Sequence, residues 1–229
     1  MYQDLINEIE NLKCEEKAKI YQRFFKTGKG EYGEGDVFYG ITVPELRKIS
    51  KKYKSLELND VEKLLKNEVH EIRMIGLFIL SLRFKSNEKE IYDCYMNNLV
   101  RINNWDLVDV SAPNIPGVYL LDKDKKILYS LAKSKNLWER RIAMLSCFAF
   151  IRRNQYEDAL KISEILLNDG HDLMHKAVGW MLREVGKRNL NVEEDFLKKH
   201  YKNMPRIMLR YAIEKFDENK RQRYLKSEI

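Results

Sequence analysis

Five four-residue segments constrain this chain more than anything else in it. Arg73-Met-Ile-Gly, Asp109-Val-Ser-Ala, Arg141-Ile-Ala-Met, Lys176-Ala-Val-Gly and Arg210-Tyr-Ala-Ile each set one charge ahead of small and branched apolar residues, at steps of 36, 32, 35 and 34 residues. A period of that length belongs to stacked helical pairs, each too small to bury its own apolar face and each covered by the next. The spacing therefore predicts an all-α fold, an α-solenoid of HEAT-like helical-pair repeats, in one domain spanning residues 1–229. In such a stack the five equivalent positions line one surface, expected to be a basic concave groove. Four of them are cationic and Asp109 is the exception, so an acid on a basic wall becomes the candidate for chemistry.

Composition agrees with this reading. Only 4 prolines and 10 glycines occur in 229 residues, and the dominance of Leu, Lys, Glu, Ile and Arg favours helices over the alternating β-branched pattern of strands. The 42 basic residues exceed the 35 acidic ones, for a net charge of +7, which leans towards an anionic partner. Three widely separated cysteines, Cys14, Cys94 and Cys147, offer no disulfide framework and fit a reducing cytoplasm. The first residues lack a basic, then apolar, leader pattern, so no secretory signal is expected. The greasiest run, Ile75 to Leu82, is too short for a membrane span and is flanked by Arg73 and Arg83. A cytoplasmic, monomeric protein with no membrane contact is the expectation.

Along the chain, Leu5, Ile6, Ile9 and Leu12 form one apolar stripe and Ala18, Ile20, Tyr21, Phe24 and Phe25 a second, predicting a first helical pair. The segment 26–36 then breaks the pattern with four glycines. Gly28, Gly30 and Gly33 spell G-x-G-x-x-G, but a dinucleotide site needs a preceding strand and a field that welcomes phosphate. Here the motif follows a helix and carries Glu31, Glu34 and Asp36, so it reads as a long exposed connection. The next helix is expected near Thr42, with Pro44 and Glu45 in its first turn. Regular pairs follow at about 59–66 with 70–84, 88–99 with 104–112, 123–133 with 137–151, 156–167 with 172–187, and 192–201 with 205–216. Asn59, Asn87 and Asn191 stand where N-caps belong, and Pro113 and Pro116 end the helix that carries Asp109.

Trp105 and Asp109 lie one helical turn apart on one face. Lys176, Trp180, Arg183 and Lys187 follow a 4, 3, 4 spacing that gives one face a base, an indole and two further bases, and Trp138 with Arg141 makes a third such pairing. Aromatic rings interleaved with Arg and Lys suit nucleic acid, because guanidinium groups hold phosphates while ring faces meet sugars and bases. His171 and His175 have the spacing of metal ligands on one helix face but no third ligand in view. No metal and no cofactor is expected.

Asn104-Trp-Asp-Leu-Val-Asp109, Leu137-Trp-Glu-Arg-Arg141 and Ala177-Val-Gly-Trp180-Met-Leu-Arg183-Glu resemble, in order and spacing, the AlkD family of DNA alkylation-repair glycosylases. The resemblance spans most of the chain. It implies a HEAT-like solenoid that takes duplex DNA and hydrolyses the glycosidic bond of purines alkylated at N3 or N7. It also implies residue roles: Asp109 as the catalytic carboxylate, Trp105 and Trp180 as catalytic aromatics whose indole faces meet the developing positive charge, and Arg141 and Arg183 as groove arginines. A third aromatic, tyrosine in the family pattern, falls on Phe24. Lys176, Lys187, Arg210 and Arg73 complete the expected DNA-binding set. The alternatives on the same scaffold are a non-catalytic binder of damaged or branched DNA and a HEAT-type protein scaffold.

Overall fold

The computed structural model describes residues 1–229, all of them in helices, turns and loops apart from one isolated parallel β-bridge between Val37 and Val69. The chain forms two compact units, Met1–Ser111 and Ala112–Ile229. The boundary falls just before Pro113, where the helix bearing Asp109 ends at Ser111. The first unit contains α1 (Tyr2–Glu10), α2 (Glu15–Phe24), α3 (Val43–Lys52), α4 (Leu58–Leu65), α5 (His70–Arg83), α6 (Glu88–Asn97) and α7 (Trp105–Ser111). The second contains α8 (Pro116–Tyr119), α9 (Lys126–Ala132), α10 (Leu137–Ile151), α11 (Glu157–Ile165), α12 (Asp172–Gly186), α13 (Leu190–His200), α14 (Arg206–Ala212) and α15 (Glu218–Lys226).

Each unit is built around one helix that is apolar on nearly every side. Eleven of the fourteen residues of α5 are buried, and eleven of the fifteen in α10, so these are core helices rather than amphipathic ones. Around α5 pack α3, α4, α6 and α7; around α10 pack α8, α9, α11 and α12, and α12 in turn packs on α13 and α14. Within each unit the second helices of successive pairs stack, α5 on α7 in the first and α10 on α12 on α14 in the second, as helical-pair repeats require. The all-α repeat fold expected from the period is the fold the chain adopts.

Helix ends follow local chemistry. Thr42 and Glu45 form a reciprocal capping box at α3 with Pro44 in its first turn. Asn136 caps α10 through Trp138 N at 2.8 Å, and Asn189, not Asn191, caps α13. Asn87 precedes α6 as expected, whereas Asn59 lies inside α4. The predicted pairing of α1 with α2 needs correction at α2. Leu5 and Ile9 are fully buried in α1, but α2 buries none of its residues, and Ile20 and Phe24 stay largely exposed.

The glycine-rich segment is the larger surprise. Its first half is exposed, but Asp36, Phe38, Gly40 and Ile41 are buried. Gly33 lies against the end of α2, where a Cβ would stand 2.4 Å from the Phe25 carbonyl oxygen. Gly40 has φ +82°, and a side chain there would strike the Cys14 carbonyl oxygen at 2.3 Å. The glycines turn the chain inward instead of letting it loop through solvent. Glu71, the second residue of α5 and 2 % exposed, receives the backbone N–H groups of Tyr39, Gly40 and Ile41 at 3.1, 2.8 and 3.3 Å. A buried carboxylate is tolerated there because three donors satisfy it at a helix N-terminus.

Candidate functional site

α7 is short, and its first turn is held from three directions. The Asn104 side chain accepts from Trp105 N at 2.8 Å, and Asp106 Oδ1 accepts from Leu107 N at 2.8 Å. Asp106 Oδ2 in turn meets His70 Nε2 at 2.9 Å, while His70 Nδ1 meets Asp36 Oδ2, also at 2.9 Å. Both carboxylates accept only, so both ring nitrogens donate and His70 is an imidazolium. Burial by itself works against that charge, but Asp106 and Asp36 outweigh it and raise the His70 pKa to about 9. Burial likewise works to raise the Asp36 pKa, yet His70 and Arg73 hold it below the usual carboxylate range. Arg73 Nη2 lies 2.5 Å from Asp36 Oδ1, which also accepts from Asn103 Nδ2 at 3.1 Å.

An aromatic column reaches the same turn by an apolar route. The His70 ring stacks on Phe38 at 4.4 Å, Phe38 on Phe25 at 4.9 Å and 13°, and Phe25 on the indole of Trp105 at 5.3 Å and 21°. Phe24, 61 % exposed, adds an edge contact to Trp105 at 6.0 Å. Beside the column a cavity of about 320 Å³ is lined by Ile20, Phe24, Phe25, Ile41, Val43 and Met74. The stripe on α2 therefore furnishes one wall of an open apolar recess and the support of Trp105. Trp105 and Asp109 are both half-buried, one turn apart on α7.

The second unit carries the other candidates. Trp180 is half-buried and leans on Phe148 at 5.8 Å, while Trp138 is nearly buried. Arg210 is exposed and Lys176 half-buried. Arg183 pairs with Glu214, and Lys187 with Glu184 at 2.6 Å. Arg141 is 5 % exposed, and its Nη1 donates to the Leu173 carbonyl at 2.6 Å. His171 and His175 serve the backbone: His171 Nδ1 accepts from Leu173 N at 3.1 Å, and His175 Nε2 lies 2.5 Å from the Asp169 carbonyl oxygen.

Arg73 requires a correction. Expected on a DNA-facing surface, it is 3 % exposed and spends its guanidinium on Asp36, Asn103 and the carbonyls of Asn67 and Glu68. The repeat register shifts with it. Arg73 is the fourth residue of α5 and Arg140 the fourth of α10, whereas Asp109, Arg141, Lys176 and Arg210 are each the fifth of their helices. The fifth position of α5 is Met74, so the cationic series begins in the second unit.

A family model described as DNA alkylation repair enzyme matches residues 5–216. The chain belongs to that family. The DNA alkylation repair fold is shared by solved structures of low identity. The predicted DNA alkylation repair enzyme of Enterococcus faecalis is 17% identical with a TM-score of 0.74, covering 90% of this chain and 97% of its own. AlkD2 of Streptococcus mutans is 19% identical with a TM-score of 0.56, covering 89% of this chain and 99% of its own. Among curated proteins none matches the sequence significantly.

Asp36, His70, Glu71, Asn103 and Asp106 are the residues that the sequence reading missed. One signal was present: His70-Glu71 opens one of the two core helices of the chain, and polar residues that begin a buried helix need buried partners.

Proposed function

We propose that this member of the DNA alkylation repair enzyme family is a monofunctional glycosylase. It hydrolyses the N-glycosidic bond of purines made cationic by alkylation at N3 or N7 in duplex DNA. One observation carries the reading: a short, rigidly anchored helix presents an indole and a carboxylate one turn apart, both accessible. An alkylated purine leaves as a neutral base, so the reaction needs no acid to protonate it. The sugar left behind becomes oxocarbenium-like, and Asp109 stabilises that charge and orients the water that attacks it. The indole face of Trp105 offers further attraction to developing positive charge. In the second unit, the half-buried indole of Trp180 is assigned the same catalytic part as Trp105, and Lys176, Lys187, Arg183 and Arg210 are assigned to DNA. Arg141, 5 % exposed and donating to the Leu173 carbonyl, is held inside like Arg73 and is withdrawn from that set. Arg183 and Lys187 exchange their carboxylate partners for phosphates on binding, since phosphate contact supplies most of the affinity for a duplex. Phe24 contributes an exposed ring in place of the family tyrosine.

The test is base release from a duplex containing 7-methylguanine. Asp109→Asn keeps the shape and discards the charge, so release should fall by about a hundredfold or more, the equivalent of roughly 3 kcal/mol in the barrier. Duplex affinity should hold or tighten, because the carboxylate repels phosphate. Near-normal release by a variant with a lowered melting temperature would assign Asp109 a structural role and overturn the reading.

A further inference from the structure

His70 stands 1 % exposed at the first position of α5, too deep to touch a duplex, yet it is joined to the first turn of α7 by two separate routes. The polar route runs through Nε2 to Asp106, the residue after Trp105, and is anchored at Nδ1 by Asp36, which Arg73 and Asn103 fix in turn. The apolar route runs from its ring face through Phe38 and Phe25 to the indole of Trp105. The cluster joins three separate parts of the chain: the glycine-rich segment, α5 and α7. Its buried charges balance, with Asp36 and Asp106 against His70 and Arg73, while the neighbouring Glu71 is occupied by backbone donors.

We propose that His70 is a positioning residue for base release, bridging Asp36 and Asp106 and backing the aromatic column so that α7 directs Trp105 and, one turn on, Asp109. This rests on the glycosylase reading. The imidazolium donates from two opposite edges and so joins two carboxylates, while its flat face supports Phe38; a neutral amide in its place cannot donate to both. The geometric demand is severe, since displacing a reacting group by about 1 Å costs on the order of a hundredfold in rate.

Glutamine at position 70 can donate to Asp36, but its carbonyl then faces the Asp106 carboxylate, so the bridge breaks. Adding Asp106→Asn turns that repulsion into a donor–acceptor contact and restores a neutral bridge. Three proteins are therefore compared well below their melting temperatures: wild type, His70→Gln, and His70→Gln with Asp106→Asn. Single-turnover release of 7-methylguanine and duplex affinity are measured for each. A loss of about a hundredfold in release with affinity changed by less than about threefold, partly recovered in the double variant, is the expected result. A second readout needs no activity. In a Trp138→Phe, Trp180→Phe background, the emission of Trp105 should shift to longer wavelength when His70 becomes Gln. Unchanged release from folded His70→Gln, or an unmoved Trp105 emission, overturns the proposal. If His70→Gln does not fold, Asp106→Ala, which removes the partner of His70 Nε2 altogether, carries the same measurements with the same expected direction. A wild-type protein that releases no base overturns the glycosylase reading instead, and the Trp105 emission then decides the positioning by itself.

Discussion

The two units solve one problem in two ways. At the fourth residue of its core helix each carries an arginine whose Nη1 clamps the two carbonyls five and six residues earlier. For Arg73 these are Glu68 at 2.8 Å and Asn67 at 3.0 Å, and for Arg140 they are Lys135 and Ser134, both at 3.0 Å. Each guanidinium then holds an aspartate, Asp36 at 2.5 Å in the first unit and Asp169 at 2.6 Å in the second. The surroundings differ. Asp36 reaches Arg73 from the preceding glycine-rich segment and is shared with a buried imidazolium and, through it, with a second carboxylate. Asp169 reaches Arg140 from the following connection and binds only a neighbouring backbone N–H, that of His171. The Arg140 side chain also keeps 18% of its surface exposed, against 3% for Arg73. The same clamp is part of a sealed charge network in one unit and, in the other, a single ion pair whose arginine is partly open to water while Asp169 stays buried, so the energetic consequence of breaking it should differ although the local geometry does not.

Arg73→Met is the largest expected effect. It leaves Asp36 buried with one fewer cation, and breaking such a pair costs about 3 to 5 kcal/mol, read as the loss of unfolding free energy in denaturant titration. The pH dependence comes next. The folded-state pKa of His70 lies above its ordinary value of 6.5, at about 9. Its stabilisation is therefore complete below pH 6.5 and disappears as pH rises through about 9, up to about 3 kcal/mol. Asp36 acts in the opposite direction, its contribution fading in acid as the carboxylate takes up a proton. Melting temperature should thus fall between neutral and pH 9.5 in wild type and in Arg140→Met, and should lose most of that slope in His70→Gln. A slope that survives in His70→Gln would place the titrating group elsewhere. Arg140→Met itself is the smallest effect, about 1 to 2 kcal/mol, because water can replace part of what is lost. Equal losses for the two arginine variants would erase the distinction drawn between the units.

The arginines also mark where the sequence was legible. Periodicity found the pairs because the apolar runs of α5, α10 and α12 are long and the connections short, and it put Trp105, Asp109 and Trp180 on helices. The register slipped by one residue at Arg73, whose equivalent in the second unit is Arg140 and not Arg141. Two adjacent arginines look alike in a pattern, and only the carbonyls they reach tell clamp from neighbour. Asp36 was hidden for another reason: its partners lie 34 and 37 residues away, and an acid among glycines reads as solvated until the turn that buries it is known. The stripe on α2 was found, but periodicity reports that a helix has an apolar face, not what covers it.

Glu71 has a consequence for motion. Amide hydrogens exchange with solvent through local opening, and segments with little buried contact open first. α2 has regular helical bonds but buries no residue, whereas Tyr39, Gly40 and Ile41 are irregular and donate to a buried carboxylate. Protection should therefore run against regularity, with the helix exchanging fast and the loop slowly, and deuterium uptake resolved by peptide would show the order directly. Faster uptake at 39–41 than across α2 would refute it. The rigid edge of this part of the molecule would then be a stretch with no secondary structure, and the yielding edge a helix carrying an exposed aromatic ring.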